Sequence, residues 1–261
     1  MEIIHNIPNH KYQKMPGISS SELRTLYFKS PFHYKYEKEN NIEDEYKKFF
    51  HQGTLIHSLL LEPDKTQETL HVLPEHITDF RTTAARAERD KALQENKNVL
   101  LYKDYLQIVD AVEIYKKNSL VKTYLSEGVA EASVFWTDEE TGIKCKCRPD
   151  YLTEQFLVDV KSCDDLDKFE SSFRRYNYHV QGAHYLRGTR RPLFYILALC
   201  KQPPYDVELF VIGEDTLKNG DDICNKALRT FKECQSTNNW PNKYGQELKV
   251  LELQPRKETL T

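Results

Sequence analysis

The sequence predicts a mixed α/β (α+β) fold, and three observations predict it. Up to about residue 126 the apolar residues recur at helical spacing, which makes about 15–126 a mainly helical portion. From Gly128 the period changes to short apolar runs joined by polar turns, the pattern of a strand meander. Two helical stretches then precede the last strands, so the strand-rich portion spans about 128–235 and leaves 236–261 as a tail. No internal repeat or low-complexity linker divides the 261 residues, which therefore read as one unit.

Each element has its own local signal. Ser19, with Glu22 three positions on, forms a capping box ahead of Leu23, Leu26 and Tyr27. Ser30-Pro31 opens a second helix carrying Phe32, Tyr34 and Tyr36, with proline in the first turn. A third helix runs from about Lys47 to Leu61 and stops at Glu62-Pro63. It is apolar from Leu55 to Leu61 except at His57 and Ser58, as in a helix buried nearly all round. Residues 80–126 read as further helices broken near 96–98, one of them with Leu106, Val109, Val112 and Ile114 on its apolar face. Ala130–Trp136, Ile143–Leu152 and Phe156–Lys161 read as three strands, the first two joined by an Asp138–Gly142 hairpin. Helices over about Asp165–Tyr176 and Tyr178–Arg187, strands over Leu193–Leu199 and Val207–Ile212, and a helix over about Asp215–Cys234 follow; Leu248–Leu253 could add a strand.

Composition excludes several classes of protein. Charged residues are 30% and hydrophobic residues 39%, the balance of a soluble globular enzyme. No apolar run approaches the roughly 18–20 residues of a membrane span. The start Met1-Glu2-Ile3-Ile4-His5 lacks a basic segment followed by an apolar one, so a cytoplasmic location is expected. A net charge of −3 requires any nucleic-acid binding to use a local basic channel. Arg174, Arg175, Arg187, Arg190 and Arg191 are the densest basic region, with a solvated helix surface as the alternative reading. None of the six cysteines forms a C-x-x-C pair, which argues against an iron–sulfur cluster or a zinc site.

The chemistry concentrates between residues 148 and 162. Asp150, Asp159 and Lys161 punctuate segments that otherwise look like buried strands, where an ionisable group is costly unless paired or bound to metal. Two carboxylates nine positions apart converge on one divalent ion if a tight turn lays their strands side by side. Lys161, two residues after Asp159, falls on the same strand face. That puts an ammonium beside a metal site, which is chemistry for cutting nucleic acid.

Pro149-Asp150…Asp159-Val160-Lys161, set in the order helix, three-strand meander, helix, strand, resembles the PD-(D/E)xK nuclease superfamily. Three further features narrow the resemblance to RecB-like and exonuclease VIII-type recombination exonucleases. Gln181 and Tyr185, i and i+4 on one helix, resemble the Q-x-x-x-Y motif. His57 in Gly53–Pro63 resembles a histidine metal ligand, although a lone histidine on an apolar helix is ordinarily a core residue. Gly17–Ser21 with Ser30–Tyr34 resembles the start of the same nuclease domain.

The resemblance implies a restriction-endonuclease-like core with an N-terminal helical elaboration. It implies His57, Asp150, Asp159 and the Val160 carbonyl as ligands of Mg²⁺, with Mn²⁺ as substitute. Lys161 would orient or deprotonate the attacking water, and Gln181 and Tyr185 would position Lys161 and the substrate. Glu131 stands where such nucleases place a further acid, with Glu127 as its rival and an exposed charge as the alternative; His179 and His184 are weaker candidates. Ser20, Arg174, Arg175 and Arg187 are the expected DNA contacts. The implied activity is 5′→3′ resection of linear double-stranded DNA, by a trimeric or tetrameric ring acting with a single-strand annealing protein. A Cas4-like or restriction-type endonuclease, or an inactive DNA-end-binding protein, are the rival readings.

Overall fold

The computed structural model describes residues 1–40, 52–95 and 97–244. The chain opens with β1 (Glu2–Ile4) and α1 (Asn9–Lys14), then α2 (Ser20–Arg24), which widens into a π-helical turn over Thr25–Lys29, and α3 (Pro31–Glu39). Both caps expected from the sequence form. The Ser19 N–H donates to Glu22 Oε2 at 2.7 Å, and the Ser30 hydroxyl accepts from the His33 N–H ahead of Pro31. α4 (Gln52–Leu61) carries His57; the expected onset near Lys47 lies outside the described residues, as does the expected strand at Leu248–Leu253.

The expected helices over 80–126 are α6 (Thr83–Gln94), α7 (Tyr102–Lys117) and α8 (Ser119–Tyr124), preceded by the short α5 (Pro63–Thr69). A parallel pair, β2 (Leu70–Val72) with β3 (Asn98–Leu100), was not anticipated. Three-residue strands carry too little period to stand out from helical flanks.

The meander departs from expectation in an informative way. Its first strand divides into β4 (Val129–Ala130) and β5 (Ser133–Thr137), and its second into β6 (Lys144–Cys147) and β7 (Tyr151–Leu152). The breaks have local causes. Glu131 adopts φ +55°, a left-handed conformation that interrupts a ladder, and Pro149 has no N–H to donate to one. The chain thereby changes sheets: β5 and β6 join β1 in the order β1-β5-β6. β4 and β7 join β8 (Phe156–Cys163), β9 (Leu193–Cys200) and β10 (Val207–Val211) in the order β10-β9-β8-β7-β4. Between the strands of these two sheets pairing is antiparallel except for β8 with β9, where the crossover through α9 (Phe169–Arg175) and α10 (Tyr178–Thr189) makes it parallel.

The five-stranded sheet buries both faces. On one, Val158, Val160, Leu197 and Leu199 pack with Leu55 and Ile56 of α4 and Ile108, Val112 and Tyr115 of α7. On the other, Leu157, Phe194, Ile196 and Ala198 pack with Tyr185 and Phe169. Asp159 and Lys161 alternate with the first set along β8, so they face the α10 side. A third core joins Leu23 and Leu26 to Val180 and to Cys224, Ala227 and Leu228 of α11 (Glu214–Thr237). α11 crosses α10 at Gly220, where an added Cβ would lie 2.4 Å from the His179 carbonyl oxygen. Among the described residues no helix is long and apolar enough to cross a membrane.

Candidate active site

Four elements meet at one point. α4 delivers His57 through a close approach to β8: a Cβ on Gly53 would lie 2.1 Å from Ser162 Oγ. The break between β4 and β5 delivers Glu131, whose N–H donates to the Asp150 carbonyl at 3.0 Å. Asp150 leads into β7, and β8 supplies Asp159 and Lys161. His57 Nε2 lies 3.0 Å from Asp150 Oδ2, and His57 Nδ1 lies 3.8 Å from Glu131 Oε1. The same Asp150 Oδ2 accepts the Val160 N–H at 2.6 Å. A strand residue's N–H and C=O leave on the same edge, which turns the Val160 carbonyl toward this side as well. Arg148 backs the cluster, its Nε 2.9 Å from Glu131 Oε2 and its guanidinium bonded to the Glu131 and Ile7 carbonyls.

Asp159 is held separately. Its side chain is 1% exposed; Lys161 Nζ lies 2.6 Å from Oδ2, and Gln181 Nε2 donates to Oδ1 at 2.7 Å. The Lys161–Asp159 contact is an ion pair without hydrogen-bond alignment, so Oδ2 is buried with no aligned donor. Lys161 Nζ also sits 4.9 Å from the centroid of the Tyr178 ring.

The charges are mutually tuned. Burial opposes the His57 cation, but the Asp150 charge and hydrogen bond, with Glu131, outweigh it and lift the imidazole to about 9. Burial raises the Glu131 carboxyl, and neighbouring Asp150 adds to this, bringing it to about 7 against the pull of His57 and Arg148. For Asp150 burial is outweighed by His57, Lys161 and the Val160 N–H, which hold it below the usual carboxylate range. Asp159 is raised, by burial first, with Lys161 working against it and Asp150 with it. Lys161 is raised, because Asp159 and Asp150 more than offset its desolvation.

Ligand atoms of His57, Glu131 and Asp150 all lie within 4.8 Å of one another. An octahedral Mg²⁺ about 2.1 Å from its ligands sets neighbouring donors about 3 Å apart and opposite ones about 4 Å apart. Two carboxylates and an imidazole at these spacings fit a hard or borderline divalent ion. This set includes Glu131, whereas Asp159, expected as a ligand, turns its oxygens to Gln181 and Lys161. Glu131 also stands outside any strand.

The other expected site residues divide. Ser20 is buried in the first turn of α2. Tyr185 packs edge-to-face on Phe194 in the core beneath α10, close enough to Asp159 for that carboxylate to help raise its phenol after burial. Arg174 is 80% exposed beside Glu170, and Arg175 lies over the Tyr176 ring. Arg187, expected as a DNA contact, is engaged with partners inside the fold. It pairs with Asp138 at 3.3 Å and with Asp221, and donates to Asn225 at 2.7 Å, so its guanidinium is consumed inside the fold. His184 is fully buried, its Nε2–H donating to the Lys146 carbonyl, and His179 lies apart on the first turn of α10. Tyr178, Arg148 and Arg24 escaped the sequence reading. Only Tyr178 had a signal, three positions before Gln181 on the same helix face.

The fold and the β7–β8 site are those of a PD-(D/E)xK protein with a restriction-endonuclease-like core. Residues 19–248 match the model of a family described as a PDDEXK-like domain of unknown function, and the chain belongs to that family. Among solved structures it is similar to a Eubacterium rectale protein provisionally named an exonuclease. That match has a TM-score of 0.60 and 15% identity, and covers 92% of this chain and 91% of the other. An alkaline exonuclease from Laribacter hongkongensis matches with a TM-score of 0.34 and 10% identity, over 60% of this chain and 86% of its own. No curated protein matches the sequence.

Proposed function

We propose that the chain is a divalent-metal-dependent deoxyribonuclease that hydrolyses phosphodiester bonds at the ends of linear double-stranded DNA. One observation carries the reading: His57, Glu131 and Asp150 converge on one point while Lys161, paired with Asp159 on the adjoining strand, acts on Asp150 through its charge. His57, Glu131 and Asp150 would hold the ion, with the Val160 carbonyl on the same edge. When bound, Mg²⁺ or Mn²⁺ activates water and offsets charge on the phosphate oxygens.

The chain's own groups do the rest. Lys161 keeps its proton at neutral pH because two carboxylates favour the ammonium, so it donates a hydrogen bond to orient water and phosphate. Gln181 fixes Asp159, and Asp159 fixes Lys161. Arg148 holds Glu131 from behind.

The 5′→3′ polarity, the role in recombination, the ring-shaped homo-oligomer and the annealing partner rest on the resemblance to exonuclease VIII-type enzymes; the name of the Eubacterium rectale protein agrees with an exonuclease. The test uses duplexes labelled at either the 5′ or the 3′ ends, and closed circular plasmid, with Mg²⁺ and with EDTA. The reading expects release from the 5′ label in Mg²⁺ alone and an intact plasmid. It also expects Asp150→Ala and Lys161→Ala to lose at least about a thousandfold in rate with unchanged circular dichroism. A nicked or linearised plasmid would favour an endonuclease. Wild-type rates in either variant would end the reading.

A further inference from the structure

Between the first turn of α10 and the π-helical end of α2 lies a step of aromatic rings that the proposed hydrolysis does not use. The rings of Tyr176 and Tyr178 are stacked, with centroids 5.7 Å apart and planes 27° from parallel. Tyr178 meets Lys161 Nζ at 4.9 Å, so the Tyr176 ring lies within about 11 Å of the reactive ammonium. Tyr176 is 48% exposed, unusual for a large ring already stacked on a neighbour. Above it stands the Arg175 guanidinium, 5.6 Å from the ring centroid.

Arg24 lies behind the step. Its Nη1 donates to the Tyr176 carbonyl, while its Nε is buried without a partner among the described residues. Among the described residues neither Arg24 nor Arg175 has a carboxylate within ion-pair distance. Burial presses on the Arg24 charge, and only Tyr185, Tyr178 and Asp159 offset it at longer range. A largely desolvated guanidinium with an unpaired donor, and no carboxylate within ion-pair distance among the described residues, is arranged for an anion arriving from outside.

We propose that Tyr176, Tyr178, Arg24 and Arg175 form a subsite for a single strand of nucleic acid. One unpaired base lies on the Tyr176 ring with Arg175 closing over it, and a phosphate of the same strand is held by Arg24. The inference deepens the nuclease reading and rests on it for the strand's direction toward Lys161. At about 3.4 Å per stacked nucleotide, the span from Lys161 to Tyr176 accommodates about three nucleotides. A base inside a duplex cannot reach a ring face, so the subsite requires that the duplex end be opened. Aromatic faces accept every base, which predicts affinity without sequence preference.

The test is fluorescence anisotropy of a labelled single-stranded oligonucleotide in EDTA, where binding is read without cleavage. Tyr176→Ala should weaken binding at least about tenfold, while Tyr176→Trp keeps it within about twofold. Arg24→Gln should lower the slope of log affinity against log salt by about 0.7, one single-strand phosphate contact, and Arg24→Lys should restore it. Thermal melting accompanies each variant, and the Trp and Lys variants guard against a folding defect. Wild-type binding by Tyr176→Ala, or an unchanged salt slope in Arg24→Gln, would overturn the subsite even if the enzyme degrades DNA as proposed. Loss of binding in a protein that cuts nothing would keep the subsite and remove the nuclease reading.

Discussion

His184 should make this fold sensitive to mild acid. Its ring is fully buried against Trp136, with centroids 4.7 Å apart, and its Nε2–H donates to the Lys146 carbonyl at 3.1 Å. Nδ1 is then a bare acceptor inside the core with no donor facing it among the described residues. Protonation would place a cation there, and burial, aided by Arg187, depresses the imidazole to about 4 despite the favourable Lys146 and Ile18 backbone groups and Glu22. In the unfolded chain the same group titrates near 6.5. Between these values the unfolded state binds the extra proton, so stability falls as pH drops from about 6.5 and the loss is complete near 4. A fall from 6.5 to about 4, at about 1.4 kcal/mol per unit, amounts to about 3 kcal/mol. Glu131 and Asp159, raised above their unfolded values, act with the opposite sign over part of this range. The measurement is therefore a difference: urea unfolding of wild type and His184→Gln at intervals from pH 7 to 4.5. Glutamine keeps a donor for the Lys146 carbonyl and cannot titrate in this range. Wild type should lose about 2–3 kcal/mol more than the variant across the interval. Parallel curves would refute the argument.

Three further outcomes follow from particular contacts. Gly220→Ala should destabilise by about 1–2 kcal/mol, because the clash with the rigid His179 carbonyl exceeds the helix-propensity gain of about 1 kcal/mol; an unchanged melting temperature would contradict the close crossing. Arg187→Ala should cost about 2 kcal/mol, discounted from a fully buried pair because Asp221 is 45% exposed, and should leave the salt dependence of DNA binding intact. A reduced salt slope with normal melting would restore Arg187 as a DNA contact. Gln181→Leu strips Asp159 Oδ1 of its donor and should raise that carboxyl further, moving the acidic limb of the rate–pH profile upward; a superimposable profile would show that Gln181 does not tune the site.

Much of the architecture was legible because its signals are local. Ser19 with Glu22 and Ser30 with Pro31 start helices through contacts within three residues. His57 stood out as a polar residue inside an apolar helical run, and the triplet Asp159-Val160-Lys161 fixed which residues share a face of β8. What stayed hidden depends on partners far apart in sequence. Nothing near Arg187 distinguishes a solvent-facing arginine from one locked between Asp138 and Asp221. Arg24 bonds the Tyr176 carbonyl across 152 positions. Lys146 is buried because three carbonyls at the end of α1, those of Tyr12, Gln13 and Met15, receive its ammonium.

The two places where the strand pattern misleads are the two places that build the site. An unbroken strand through Ala130–Trp136 would send Glu131 and Ala130 to opposite faces of one sheet, with the Glu131 backbone committed to a ladder. In the structure the ladder ends at the bond from the Glu131 N–H to the Asp150 carbonyl, and the left-handed turn there swings the Glu131 carboxylate toward His57. A non-glycine residue held at φ +55° costs about 1–2 kcal/mol, and the Arg148 contacts to both its carboxylate and its carbonyl supply the restraint that holds it there. Pro149 does the matching work on the second strand, releasing the chain from β6 so that Asp150 reaches the free edge of β8 and the Val160 N–H. The sheet change therefore gathers three carboxylates at one corner, where His57, Lys161 and Arg148 are the cations that offset them. Replacing Glu131 by glycine separates the two effects. It relieves the backbone and removes the carboxylate, so stability should hold within about 1 kcal/mol while Mn²⁺ affinity, measured by calorimetry, falls at least about tenfold. If affinity survives in Glu131→Gly, the corner is held together for packing and the metal reading of Glu131 fails.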